Sequence, residues 1–107
     1  MSRRDPSVSL RQMLDHALEV AELVRGRNRG DLDSDRLALA LVRLLEIIGE
    51  AAARVPAEER ARRPGIPWSS IVGLRNRLTH GCDDIDHDIV WGIVTTDLPA
   101  LVSRLPG

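Results

Sequence analysis

The stretch LALALVRLLEIIGEAAA, residues 37–53, decides the fold of this chain. Its leucine, isoleucine, valine and alanine side chains recur around much of a helical circumference. A helix that is apolar on more than one face is buried on more than one side. Charged residues interrupt the run, which is therefore too polar to span a bilayer. We predict a central helix that begins near Ser34 or Asp35, ends at about Arg54, and also meets another subunit.

Helical periodicity continues on both sides of this stretch. Residues 7–25 place apolar side chains on one face, with Asp5 as the N-cap and Pro6 in the first turn. The following RGRNRGDLDSD, residues 25–35, is a loop by composition. After Pro56, the sequence AEERARR predicts one or two helical turns.

Two further helices complete the C-terminal half. Pro67 suits the first turn of a helix from Trp68 to about His80, and Gly81 is placed to end it. Asp86 is the best cap for a last helix, which Pro99 kinks or restarts. No strand pattern is present. The sequence predicts an all-α, up-down bundle of four to five helices that occupies residues 1–107 as a single domain.

Composition limits the functions that the chain can have. The 107 residues include no Phe or Tyr and only two Trp, so a modest aliphatic core would gain from a partner subunit. A net charge of −1 excludes the global field of a highly basic nucleic-acid binder. Residues 54–77 carry six Arg against two Glu, whereas residues 83–97 carry five Asp and no Arg. A single cysteine and the lack of a signal-peptide pattern predict a cytoplasmic protein without a membrane segment.

The sequence RNRLTHGC, residues 75–82, holds the strongest candidates for chemistry. A histidine can exchange a proton near neutral pH, and an arginine can bind a phosphate by two hydrogen bonds. His80 and Arg75 together suit cleavage of RNA without a metal, and Asn76 lies on the face of His80 if the helix continues. Glu50 either forms a salt bridge on its own helix or lines the cleft opposite Arg75. From spacing alone, a plain polar helix end is the better explanation.

A metal site is the competing interpretation of the same segment. HGCDDIDHD offers His80, Cys82 and His87 beside four aspartates, but it matches no zinc template. A calcium loop is rejected because its sixth and twelfth positions are Ile89 and Thr95. We expect no metal and no other cofactor.

The longer strings around this segment resemble a known family. IPWSSIVGLRNRLTHG, then DIDHDIVWGIVTTDLPAL, with LEIIGEAA upstream, are similar to the HepT-like family of HEPN-domain proteins from about Leu10 to Leu105. The resemblance implies an all-α HEPN bundle, a two-fold homodimer and a metal-independent ribonuclease that uses an Arg-x4-His-x-Tyr motif at the dimer cleft. It also implies a toxin whose antitoxin, a minimal nucleotidyltransferase, transfers AMP to the motif tyrosine.

Carried over residue by residue, the motif falls on Arg75 and His80 as catalytic residues, with Asn76 as a positioning residue. The AMP-accepting tyrosine falls on Cys82, and a thiol cannot supply the phenol. The resemblance therefore predicts a toxin endoribonuclease that is not regulated by tyrosine AMPylation. The alternative is a non-catalytic HEPN-fold protein that binds nucleotide or RNA as the partner of a nucleotidyltransferase.

Overall fold

The computed structural model describes residues 5–33, 36–80 and 84–105. Its secondary structure in these ranges is helical apart from one short β pairing. The elements are α1 (Pro6–Val24), a 3₁₀ helix (Arg29–Asp33), α2 (Arg36–Ala53), α3 (Ala57–Ala61), α4 (Trp68–Val72), α5 (Leu74–Leu78), β1 (Thr79–His80), β2 (Asp84–Ile85), α6 (His87–Gly92), a π-helical segment (Ile93–Asp97) and α7 (Leu98–Arg104).

The predicted central helix is α2, and the all-α fold class is confirmed. α1 packs along α2, α7 lies on α1, and α4, α5 and α6 contact α2. Leu41, Leu45 and Ile48 on α2 are fully buried within an aliphatic core. The predicted caps of this helix, Ser34 and Asp35, lie outside the described residues. Its contact with another subunit stays a prediction.

Capping side chains fix the starts of α1 and α6 as the sequence predicts. Asp5 accepts a hydrogen bond of 2.9 Å from the backbone N–H of Ser7. Asp86 accepts from the N–H groups of Asp88 at 2.9 Å and Ile89 at 3.1 Å. These bonds satisfy first-turn donors that have no partner inside the helix.

The C-terminal end of α2 is closed by a side chain from α3. The guanidinium of Arg60 donates to the carbonyls of Val55 at 2.9 Å and of Ala52 and Ala53 at 3.3 Å each. The last carbonyls of a helix lack intrahelical partners, and a cation there also interacts favourably with the negative end of the helix dipole. The helical turn predicted after Pro56 is α3, and its Arg60 side chain caps the C-terminal end of the central helix.

The predicted loop after α1 contains a buried anchor. Leu32 in the 3₁₀ helix is fully buried, although its neighbours are polar and charged. One apolar residue in a polar stretch gives no periodicity, so the sequence pattern did not reveal this packing. The segment is held in place by its contact with the core.

A charged cluster fastens this 3₁₀ helix to the start of α6. Arg29 donates to Asp88 at 2.6 Å and to Asp33 at 3.1 Å, and the His87 ring lies 3.4 Å from Asp33. Hydrogen bonds from Arg29, and secondarily from His87, hold the pKa of Asp33 below its ordinary value. The cluster therefore ties together two segments that are far apart in sequence.

The predicted single helix over residues 68–80 is wrong in two respects. The backbone leaves the helical conformation at Gly73, which separates α4 from α5, and α5 ends at Leu78. Thr79–His80 is extended and pairs antiparallel with Asp84–Ile85, where the sequence showed no strand pattern. Each strand has only two residues, which is too few to show the alternation of apolar and polar residues by which a strand is recognised in a sequence. The predicted C-cap, Gly81, lies outside the described residues.

The helical chain does restart near Pro99, as predicted. Proline has no N–H, so a regular α-helix would leave an earlier carbonyl without its donor. The helix before Pro99 takes the wider π conformation over Ile93–Asp97, and the N–H of Leu98 donates to the carbonyl of Ile93 five residues earlier. α7 then begins with Pro99 in its first turn.

Candidate functional site

A groove of about 230 Å³ lies between α2 and the α4–α5 segment. We name it the charged groove. Its lining residues are Arg43, Glu46, Gly49, Glu50, Ala53, Val72 and Arg75. The α2 members recur at three- and four-residue spacings, so a single helical face forms one wall. The groove is therefore a continuous feature of two packed helices.

The close approach of the two walls depends on Gly49. A Cβ atom at this position would lie 3.1 Å from the carbonyl oxygen of Ile71 and 3.7 Å from the Cβ of Leu74. Gly49 is buried, so a side chain added at this position would have to displace atoms of the α4–α5 segment. A glycine at this position lets α4 and α5 pack directly on α2.

Arg75 reaches the groove because its neighbours on α5 anchor the helix. Leu74 and Leu78 are fully buried at i,i+4 and fix one face of α5 on the core. Arg75 and Asn76 are exposed, and Arg75 lines the charged groove opposite Glu50. The structure thus brings Arg75 and Glu50 together, and it does not include Asn76 among the lining residues.

His80 follows this helix in an extended conformation. Its backbone pairs with Asp84 in the β1–β2 ladder. The expected i,i+4 relation between Asn76 and His80 therefore does not hold, because that relation requires a continuous helix. Cys82 lies outside the described residues.

Sequence patterns did not identify the contact that orients α5. Arg77 donates to Asp97 at 3.0 Å, and the two side chains are 40% and 28% exposed. This bond joins α5 to the π-helical segment 20 residues later. The only signal in the sequence was an arginine-rich stretch followed by an aspartate-rich stretch. Charge complementarity of that kind predicts attraction but names no pair.

The groove carries balanced charge, with two arginines and two glutamates. Arg43 lies 3.9 Å from Glu46, and the Glu46 side chain is 30% exposed. Glu50 is more exposed and lies one turn further along α2. The arrangement offers guanidinium groups for an anion and carboxylates for hydrogen-bond donors in the same narrow space.

Comparison with known proteins decides the family. The family model described as Ribonuclease HepT-like matches residues 13–105. The chain belongs to the HepT-like ribonuclease family. The HepT-like assignment agrees with the resemblance of the sequence strings and with the all-α structure.

Individual relatives of this HepT-like chain carry ribonuclease names. A protein of Methanocaldococcus jannaschii named as a candidate RNase is 35% identical over 102 residues, which is 94% of each chain. One of Thermococcus cleftensis, named as a candidate ribonuclease HepT, is 32% identical over 101 residues, covering 90% of this chain and 92% of the relative. One of Caldanaerobacter subterraneus, again named as a candidate RNase, is 35% identical over 100 residues and covers 89% of each. No solved structure gives a significant match.

Two negative findings apply to the described ranges. Among the residues whose side chains the structure describes, 5–33, 36–78 and 85–105, no three His, Cys, Asp or Glu side chains are grouped as a metal site requires. The zinc alternative used the side chains of His80 and Cys82, which lie outside those ranges. In the part of the chain that the structure describes, no helix is both long and apolar enough to cross a membrane.

Proposed function

We propose that this HepT-like chain is the toxin of a toxin–antitoxin pair and acts as an endoribonuclease that needs no metal. The observation that carries the proposal is the position of Arg75 in the charged groove, in a chain whose family model describes a ribonuclease. A guanidinium on a rigid helix, beside a groove, is suited to bind and orient a phosphate.

The reaction follows from the chemistry of the two motif residues. His80 removes the proton of the ribose 2′-hydroxyl, whose oxygen attacks the adjacent phosphorus. Arg75 stabilises the extra negative charge on the phosphorane. The P–O5′ bond breaks, a protonated histidine returns a proton to the leaving 5′-oxygen, and a 2′,3′-cyclic phosphate remains. These steps use only a base, an acid and a cation, so the side chains suffice.

A two-fold homodimer would complete this set of groups. Each chain offers one motif histidine, whereas the reaction uses a base and an acid. A symmetric interface brings the same patch of both subunits together, so two histidines and two arginines would share one cleft. Asn76 would position the strand at the edge of that cleft.

The test is cleavage of single-stranded RNA in excess EDTA. Wild type should cleave, and Arg75→Ala and His80→Ala should each lose about 100-fold or more in rate, as when one charge-stabilising group is removed from an active site. Arg11→Ala is the matched control, because Arg11 is an exposed arginine of α1 paired with Asp15. Equal cleavage by all four proteins, or none by wild type, would overturn the enzyme proposal.

Neutralisation by the antitoxin is the second part of the proposal. Cys82 stands where the motif tyrosine falls, so we propose that a minimal nucleotidyltransferase neutralises this chain by binding it and transfers no AMP to it. Mass spectrometry after co-expression should find the complex without an AMP adduct on this chain. An adduct would contradict the proposal.

The absent tyrosine also favours a second candidate function. A HepT-like chain that has lost part of its motif could bind nucleotide or RNA for a nucleotidyltransferase partner without cleaving it. In that case Arg75→Ala would weaken RNA binding, while wild type would leave the RNA intact. The EDTA assay and a binding assay on the same samples separate the two functions.

A further inference from the structure

The glutamates of the charged groove need an explanation that the motif residues do not provide. A groove built only to hold an RNA backbone would carry cations, because carboxylates repel phosphates. Glu46 and Glu50 instead line the same groove as Arg43 and Arg75. Carboxylates in such a place suit a part of the RNA that donates hydrogen bonds. A ribose 2′-hydroxyl supplies one donor, whereas the edge of a base can supply two side by side, which matches the two oxygens of a carboxylate.

A carboxylate discriminates among the four bases by its hydrogen-bonding capacity. It is an acceptor only, and its two oxygens can accept two parallel bonds. Guanine presents two adjacent donors, N1–H and the N2 amino group, on its Watson–Crick edge. Adenine, cytosine and uracil each place an acceptor beside their donor on that edge, so one of the two bonds is lost.

We propose that Glu46 reads guanine in the RNA substrate and that Arg43 binds the phosphate next to that base. This inference rests on the proposed ribonuclease function and names the base that the charged groove selects. Arg75 holds the scissile phosphate across the groove. The RNA is single-stranded, because bases are recognised on this edge only when they are unpaired.

Burial assigns the reading of the base to Glu46 and not to Glu50. The Glu46 side chain is 30% exposed, whereas Glu50 is an exposed residue. Hydrogen bonds formed where water is partly excluded contribute more to discrimination. The neighbouring Arg43, at 3.9 Å, lies at the limit of an ion pair, so it offsets the charge of Glu46 and leaves its oxygens available to a base.

The dimensions of the groove agree with one base and its phosphate. Its volume of about 230 Å³ is below that of a typical drug-sized pocket, about 300–1,000 Å³. Arg43 and Glu46 are three residues apart on α2, a rise of about 4.5 Å along the helix axis. One nucleotide can therefore contact both side chains.

The experiment compares binding and cleavage in the same proteins. Uncleavable 2′-O-methyl trinucleotides with G, A, C or U at the centre are titrated into wild type, Glu46→Gln and the control Glu19→Gln by calorimetry. Glu19 is an exposed glutamate of α1, away from the charged groove. Cleavage positions are then mapped by sequencing a mixed single-stranded RNA pool.

Wild type and Glu19→Gln should prefer the guanine trinucleotide by about 10- to 100-fold, the range expected for one bidentate contact. Glu46→Gln, whose amide replaces one acceptor by a donor, should lose that preference and bind the other three as wild type does. Arg43→Ala should weaken all four trinucleotides alike and reduce the salt dependence of binding.

The outcomes separate this inference from the proposed reaction. Cleavage without a guanine preference, or an unchanged preference in Glu46→Gln, overturns the base reading and leaves the ribonuclease standing. A guanine preference that Glu46→Gln abolishes, in a protein that cleaves no RNA, supports the base reading and overturns the reaction. A changed sedimentation coefficient for Glu46→Gln would show that Glu46 acts by holding the two subunits together and would overturn the base reading.

Discussion

Two grooves of this molecule have the same volume and opposite chemistry. The charged groove between α2 and α4–α5 and an apolar groove between α1 and the C-terminal helices each enclose about 230 Å³. The apolar groove is lined by Ala17, Leu18, Ala21, Val94, Leu98, Pro99 and Val102. Size therefore does not indicate where the chemistry is. The apolar groove is the outer edge of the core. The other groove is charged because Arg43, Glu46 and Glu50 interrupt the apolar sequence of α2.

The largest difference between the two grooves should be in stability. Leu98 on the floor of the apolar groove is 2% exposed, and Leu98→Ala should lower the free energy of unfolding by about 2–5 kcal/mol. Glu50→Ala in the charged groove should change it by about 0.5 kcal/mol or less. Urea denaturation of both variants measures this. Similar losses would mean that the charged groove is part of the structural framework.

The next effect tests the close packing under the charged groove. A Cβ atom added at Gly92 would meet no other atom within 4 Å, whereas one added at Gly49 would lie 3.1 Å from the carbonyl oxygen of Ile71. Both glycines are helical, so Gly92→Ala should raise stability by about 0.5–1 kcal/mol through helix propensity. The free energy of unfolding of Gly49→Ala should be lower than that of Gly92→Ala by about 1–3 kcal/mol, because the added methyl group overpacks the contact with α4. Thermal unfolding of the two variants measures this difference. Equal stabilities would show that α4 shifts to accommodate the methyl group without loss of stability.

The smallest effect concerns charges that lie in neither groove. The pKa of Asp33 is lowered, chiefly by the hydrogen bond from Arg29, so its contribution to stability is present above its ordinary value of 3.8 and is lost as the pH falls through the lower value in the folded state. The melting temperature of wild type should thus decline more steeply than that of Asp33→Asn between about pH 4 and pH 2. Parallel curves would show that the cluster does not contribute to folding.

Much of the fold could be predicted from local signals. The Asp5 and Asp86 caps and the helical restart near Pro99 were all predicted from residue type and spacing, because each depends on neighbours within a few positions. The break at Gly73 and the β1–β2 pairing were not predicted. They depend on packing against α2 and on two extended residues, neither of which produces a periodic pattern.

The candidate site divides in the same way. Arg75, His80 and Asn76 were identified by spacing and by resemblance, and Glu50 was named as a residue that would face Arg75 in a cleft. The structure lines one groove with Glu50 and Arg75. It also adds Arg43 and Glu46, which the sequence presented only as interruptions in an apolar helix. The catalytic roles stay predictions until the variants are assayed.

The sequence by itself determined the helical class, the capped starts of α1 and α6 and the order of the motif residues, since short-range periodicity and capping control these. Only the tertiary structure decided that two helices approach closely enough at Gly49 to form a charged groove. It also decided that Arg77 is held by Asp97 while Arg75, two residues earlier, lines that groove. Contacts between residues distant in the chain depend on how whole faces pack, and no local pattern records that choice.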